Sequence, residues 1–339
     1  MEKLWITNNL TDRLAMLQRT ESGHPGINQV AIEKDWWVTA TLKALFLTDC
    51  CNSLTFKGGT SLSKGFNLIE RFSEDIDLAI SRSFFGIENN SKSQREKLRK
   101  TARSYIHETL SPQLDAKLKE MGVSGFRIEN VTQAQDKNGE WHTIDSDKDP
   151  TVILLHYPSI IENYINYIPP RVKIEISALS MDEPTELKDI HSLIEESFAG
   201  EDSGTSCKVR TVLPTRTFLE KIFLLSEEFQ KERPRYLRMS RHLYDIEKLM
   251  DTKYGKEALL DKALYEAIVE HRKSCYALKY VNYDLHRPSA IKFTIPESSI
   301  DAWKADYADM RRAFIYGKSL EFDDLMHRIE ELQERVRAM

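Results

Sequence analysis

The sequence predicts an α/β (α+β) protein in which strands and helices interleave through residues 1–210 and a helical domain follows over 211–339. Three observations predict it. Leu54-Thr55-Phe56 reads as a short strand entering a glycine turn, with a helix over 62–69 behind it. Val172-Lys173-Ile174-Glu175-Ile176-Ser177 alternates strictly between apolar and polar residues, the period of a strand with one buried face. Beyond residue 210 the apolar residues recur at helical spacing over 215–230, 238–250, 256–273 and 297–339.

The elements follow in order. Residues 1–50 read as helices: Ala31, Ile32, Trp36, Trp37, Leu42, Leu45 and Phe46 repeat at helical spacing, with Lys34 and Asp35 on a more polar side. A second strand is expected over 75–80. Residues 91–121 carry a charged, amphipathic pattern of one or two helices broken at Ser111-Pro112. Residues 126–129 and 152–155 are strand-like, 136–150 is a polar hairpin or loop, and a loop region containing 201–205 leads to the boundary near 210.

Composition narrows the function. A chain of 339 residues is long enough for one large or two modest domains, and 41% apolar with 30% charged residues is a globular balance, not a disordered one. No run approaches the ~18 apolar residues of a spanning helix, and the start Met1-Glu2-Lys3-Leu4-Trp5 lacks a secretory pattern. A cytoplasmic location without membrane partners is therefore expected. Cys50, Cys51, Cys207 and Cys275 have neither the density nor the spacing of a disulfide or zinc framework. A net charge of −5 excludes a generally basic nucleic-acid coat but leaves room for a local groove, and residues 231–241 hold five cations against the single acid Glu232. Its alternative reading is a solvated helical face.

The chemistry concentrates in Phe56-Lys57-Gly58-Gly59-Thr60-Ser61-Leu62-Ser63-Lys64 and Arg71-Phe72-Ser73-Glu74-Asp75-Ile76-Asp77-Leu78. Glycines 58 and 59 let backbone N–H groups approach phosphates, and a helix start adds partial positive charge there. Thr60, Ser61, Ser63, Ser73 and Lys64 place hydroxyls and a cation nearby. The strand period puts Asp75 and Asp77 on one face, and two adjacent carboxylates suit Mg²⁺ or Mn²⁺ held together with the phosphates of an NTP. Glu175 is open to three readings: metal ligand, general base, or a strand residue paired with Lys173. Lys221 sits among apolar residues of a helix, so it pairs with an acid such as Asp245 or reaches a bound anion. Arg238, Arg241, His242 and Asp245 fall at i, i+3, i+4 and i+7, one polar face of the next helix. Other templates fail: the turn lacks the GK[ST] ending of a P-loop and the last glycine of a nucleophile elbow, and no HExxH spacing occurs.

These paired motifs resemble the first motif of the nucleotidyltransferase superfamily and, more narrowly, the AbiEii/AbiGii toxin family of type IV toxin–antitoxin and abortive-infection systems. Ile32-Glu33-Lys34-Asp35-Trp36-Trp37, Phe218-Leu219-Glu220-Lys221, Arg241-His242-Leu243-Tyr244-Asp245-Ile246, and Trp303, Asp306, Tyr307 and Met310 look like further signatures, so the resemblance spans most of the chain. It implies a nucleotidyltransferase-like mixed β-sheet flanked by helices, with the helical C-terminal domain completing an active-site cleft. It also implies that Lys221 contacts the triphosphate and that Asp245 is essential, orienting Lys221 or assisting deprotonation of the acceptor. Asp75 and Asp77 would hold the metal and Glu175 would join the catalytic set. Gly58, Gly59, Thr60, Ser61, Lys64, Ser73 and Arg241 would hold nucleotide phosphates, and Arg235 and Arg238 would contact RNA. The expected activity is transfer of nucleotides from NTP to RNA, at the tRNA 3′ end, blocking translation until a cognate antitoxin intervenes. Two readings compete with it: an NTP-dependent modifier of its own or the antitoxin's hydroxyl groups, and a catalytically silent NTP-binding protein.

Overall fold

The computed structural model describes residues 3–88, 91–136, 138–161, 169–181 and 183–339. It divides into two compact units. Unit 1 comprises residues 1–65 and 72–211; unit 2 comprises 66–71 and 212–339.

Among the described residues, seven strands form the mixed sheet of unit 1. They are β1 (Leu54–Lys57), β2 (Asp75–Ile80), β3 (Arg127–Asn130), β6 (Thr151–His156), β7 (Arg171–Ser177), β8 (Thr185–Ile190) and β9 (Cys207–Val212); β4 (Gln133–Gln135) and β5 (Trp141–Thr143) make a separate hairpin. The strand order across the sheet is β3-β6-β7-β2-β1-β9-β8. β2 is antiparallel to β1 and parallel to β7, which is antiparallel to β6. Strict alternation sorts the side chains. Phe56, Ile76, Leu78, Val172, Ile174 and Ile176 are all fully buried, while Asp75, Asp77, Lys173 and Glu175 stay half-buried on the other face. β8 and β9 flank the loop expected around 201–205, in stretches to which the sequence pattern assigns no element. β8 carries no apolar alternation, since Glu186 and Lys188 share a face with Ile190 and Leu187 is exposed, whereas β9 alternates, with Lys208 and Arg210 opposite buried Val209 and Thr211.

The helices of unit 1 are α1 (Leu10–Gly23), α2 (Gln29–Leu45), α3 (Gly58–Thr60), α4 (Lys92–Tyr105), α5 (Ser111–Glu120) and α6 (Leu193–Ser197). Helix α2 is buried almost all round and packs on β2, β7 and α5. Trp37 stacks on Tyr157, ring centroids 4.9 Å apart. Lys34 and Asp35 are therefore not on a polar side: they are inside, each answered by an opposite charge. Lys34 Nζ lies 2.5 Å from Glu74, and Lys64 Nζ lies 2.5 Å from Asp35, whose other oxygen accepts the Leu193 N–H at 2.8 Å. Burying these groups unpaired would be costly. Paired, they tie α2 to the chain immediately before and after the 66–71 excursion.

Two expected breaks differ. Ser111-Pro112 does not interrupt the helical course: Leu110 and Ser111 keep helical backbone angles, and a π turn over Ile106–Leu110 joins α4 to α5 just ahead of Pro112. The helix expected over 62–69 is only the short α3 continued by a π turn, Ser61–Gly65. Residues 66–71 leave it to join unit 2. There Arg71 bridges Ile315 in antiparallel fashion, and the Glu70 carbonyl accepts the N–H groups of Tyr316 and Gly317, each at 3.1 Å.

Unit 2 is helical: α7 (Pro214–Glu228), α8 (Ser240–Met250), α9 (Lys253–Leu260), α10 (Lys262–His271), α11 (Ile300–Ala313) and α12 (Phe322–Arg337). Phe218, Ile222, Leu243, Ile246, Trp303 and Tyr307 form its core. Asp306 of α11 accepts the N–H groups of Arg238 and Ser240 at 2.6 and 3.0 Å, supplying from a distance the cap that α8 lacks locally. No helix among the described residues is long and apolar enough to cross a membrane.

Candidate active site

In unit 1 the site grows from the turn after β1. Gly58 has φ +80°, and a Cβ there would stand 2.0 Å from Asp77 Oδ2. Glycine is required twice over, by the left-handed backbone and by the carboxylate beside it. Ser61 Oγ donates to the Gly58 carbonyl at 2.9 Å, and Thr60 Oγ1 lies against the Asp75 carbonyl and 2.9 Å from Ser73 Oγ. Thr60 and Ser61 are fully buried, so their hydroxyls brace the turn against the start of β2; sequence reading had them facing phosphates. Lys64, also expected at the phosphates, is taken up by Asp35. Gly58, Gly59 and Ser73 remain half-buried around the turn.

β2 and β7 then align the acids. Asp75 pairs in register with Lys173 and Asp77 with Glu175, so parallel pairing sets Glu175 beside Asp77 on one face. Glu175 already has a partner: its Oε1 lies 2.6 Å from Lys173 Nζ, the ion pair that sequence reading weighed against a metal role. Lys57, opposite Asp77 on β1, donates to Ser180 Oγ at 2.8 Å. Among the described residues, three acid or imidazole donors already gathered within 4.8 Å occur at Asp136, Glu140 and His142, all exposed on the β4–β5 hairpin and not on β2.

Unit 2 holds the second group. Arg71 grips Asp245 with two hydrogen bonds, Nε to Oδ1 at 2.7 Å and Nη2 to Oδ2 at 2.8 Å, and Lys221 Nζ lies 2.9 Å from the same Oδ2. His242 Nδ1 is 3.5 Å from Lys221 Nζ. Burial alone would raise the Asp245 pKa; Arg71 and Lys221 overcome it and hold the carboxyl well below the usual carboxylate range. Burial pushes the Lys221 ammonium down, opposed by Asp245. The Lys221–Asp245 pair is thus present. In the sequence Arg71 offers only one signal, a cation just ahead of a carboxylate pair, and nothing local points to Asp245 as its partner.

The expected basic stripe is partly spent elsewhere. Arg235 and Lys231 both bind Glu228, at 2.8 and 2.7 Å. Arg238 precedes α8 with φ +59° and lies over the Phe314 ring at 5.3 Å, so it does not extend the helical face of Arg241, His242 and Asp245. Arg241 is half-buried on α8.

His242 predicts a pH dependence. Burial first, then Lys221 and Arg241, depress its pKa well below 6.5, and burial pushes the enclosed His286 down to about 4. The native rings stay neutral where the unfolded chain takes up protons. Stability is therefore expected to fall as pH drops below 6.5, by roughly 1.4 kcal/mol per pH unit for each histidine, with the His286 share ending near pH 4. Urea midpoints between pH 7.5 and 5 check this, and His242→Gln should flatten the slope.

The family model described as "Nucleotidyl transferase AbiEii toxin, Type IV TA system" matches residues 41–328. The chain belongs to the AbiEii toxin family. The match includes the Gly58 turn, the β2 acids, Glu175, Lys221 and Asp245 of this AbiEii-family nucleotidyltransferase toxin, and membership implies a cognate antitoxin. MenT4, a nucleotidyltransferase toxin from Mycobacterium tuberculosis H37Rv, is a similar solved structure: 15% identity, 96% of this chain and 98% of that chain covered, TM-score 0.42. No curated protein matches this AbiEii-family chain.

Proposed function

We propose that this toxin uses an NTP and a divalent cation, Mg²⁺ or Mn²⁺, to add nucleotides to RNA at the tRNA 3′ end in the cytoplasm, halting translation until its antitoxin intervenes. The observation that carries the proposal is the contact between Gly58 and Asp77, which leaves no room for a side chain beside a carboxylate aligned with Asp75 and Glu175. Hard oxygen donors on one half-buried face fit such a cation. Asp75 and Asp77 would hold it, and when bound it would neutralise charge developing on the phosphate oxygens.

The chain's own residues do the rest. Backbone N–H groups of the Gly58-Gly59 turn receive phosphates. Lys221, kept in place by Asp245, offers its ammonium to the triphosphate, with Arg241 beside it on α8. Asp245 is a positioning residue, because Arg71 and Lys221 already occupy both its oxygens. Glu175, steadied by Lys173, keeps a carboxylate beside Asp77. In the reaction an RNA hydroxyl bonds to the α-phosphorus, the α–β anhydride breaks, pyrophosphate departs, and the hydroxyl proton is lost.

The test is incubation with Mg²⁺, each α-³²P-labelled NTP in turn and total bacterial tRNA, beside Asp77→Ala. Label on tRNA that vanishes in the variant supports the proposal and names the base. Label on protein alone replaces it with protein modification.

A further inference from the structure

The expected RNA contacts in the 231–241 stripe are weakened by Glu228 and Phe314, and a different element carries the positive charge. Helix α4 holds Lys92, Arg95, Lys97, Arg99, Lys100 and Arg103 against the single acid Glu96, in a chain whose net charge is −5. Leu98, Ala102 and Ile106 are buried and anchor one side of the helix, which turns Lys92, Lys97 and Lys100 outward as exposed residues. None of these three lysines is within an ion-pair distance of an acid among the described residues. Arg99 reaches Asp147 at 3.5 Å, and Arg103 Nη1 donates to the Asp145 carbonyl at 2.7 Å.

Two other surface helices, α5 and α12, have their basic side chains answered by acids. On α5, Lys117 meets Glu120 at 2.8 Å and Lys119 meets Asp115 at 2.6 Å; on α12, Arg337 meets Glu334 at 2.9 Å and Arg335 meets Asp251 at 2.8 Å. On α4 the i, i+3 and i, i+4 neighbours Lys97 and Lys100, Arg95 and Arg99, and Arg99 and Arg103 carry like charge and repel. A row of phosphates converts that repulsion into attraction and releases the counterions held there. At 1.5 Å per residue, the cations from Lys92 to Arg103 extend about 16 Å, long enough to follow several consecutive phosphates.

We propose that α4 is the surface on which this toxin binds the phosphate backbone of its RNA acceptor. This rests on RNA being the acceptor. It assigns α4 to sequence-independent grip, since cations on phosphates position a nucleic acid without reading its bases.

The experiment measures fluorescence anisotropy of 5′-labelled bulk tRNA with the full chain, over a salt series. Lys92→Glu/Lys97→Glu/Lys100→Glu is compared with the control Lys117→Glu/Lys119→Glu on α5. All five lysines are surface residues outside the proposed catalytic set, and circular dichroism with ³²P-NTP binding shows that each variant is folded. The expected result is at least a tenfold loss of tRNA affinity in the α4 variant, a salt slope shallower by roughly 2–3, and unchanged NTP binding, with the control near wild type. Wild-type affinity and slope in the α4 variant, or an equal loss in the control, overturns the proposal. If the wild-type protein labels tRNA while the α4 variant binds it normally, this inference alone fails. If the wild-type protein binds and labels no tRNA, the RNA reading fails with it.

Discussion

Asp245→Ala is expected to lower the stability of the protein by about 3–5 kcal/mol, the cost of leaving buried charge without its counterion. The carboxylate is fully buried and shared by Arg71 and Lys221, so its loss strands two guanidinium hydrogen bonds and an ammonium at once. Urea unfolding of the variant should show the drop; a midpoint equal to wild type would refute the shared-carboxylate account. Lys221→Met is expected to behave oppositely. Asp245 keeps both bonds from Arg71, and a desolvated ammonium is replaced by an apolar chain of similar length, so stability should change by only about 1 kcal/mol. Nucleotide transfer should nevertheless fall by roughly 10²–10³-fold, the scale for losing one preorganised charge at a reacting group. A fully active Lys221→Met would reduce the lysine to a structural partner. Because its neighbours hold Asp245 well below the ordinary carboxylate value of 3.8, its contribution is complete above that pH, falls progressively as pH drops below it, and is gone once the lowered value is passed.

Gly58→Ala should inactivate the enzyme as thoroughly as Asp77→Ala, although it removes no functional group. A methyl at Gly58 would stand 2.0 Å from Asp77 Oδ2 and 2.7 Å from its Cγ, so the carboxylate must turn away from its place beside Glu175. The left-handed backbone adds about 1–2 kcal/mol of strain for any residue with a Cβ. Gly86→Ala separates the two effects. Gly86 has φ +63°, and a methyl there would meet nothing within 4 Å, so the substitution carries the strain without touching the acids. The expected outcome is a transfer rate down by roughly 10²–10³-fold in Gly58→Ala and near wild type in Gly86→Ala. Equal activity in the two would mean that the approach of Gly58 to Asp77 has no catalytic consequence.

Much of this arrangement is legible locally. A glycine turn between two short apolar strands, and carboxylates separated by one residue, depend on backbone geometry and side-chain alternation that act within a few residues. The β7 pattern likewise announced a polar face bearing Lys173 and Glu175, and those two residues do pair. What stayed hidden involves distant partners. Lys34 and Asp35 look like solvated charges until Glu74 and Lys64 are seen opposite them. Arg238 counts as one more cation on a helical face until its backbone turns left-handed before α8 begins. β9 is too short to stand out beside the boundary near 210, and its pairing with β1, Phe56 opposite Thr211, is what makes it a strand of the sheet.

The sequence by itself therefore determined the interleaved strands and helices, the face on which Asp75 and Asp77 stand, the need for glycine before them and the resemblance to a toxin family. Only the tertiary structure decided that Glu175 aligns with Asp77, that Thr60, Ser61 and Lys64 serve the scaffold, and that Arg71 and Lys221 share Asp245. The physical reason is separation along the chain: Arg71 and Asp245 lie 174 residues apart. A buried charge advertises in sequence that it needs a partner, and only folding names which one it receives.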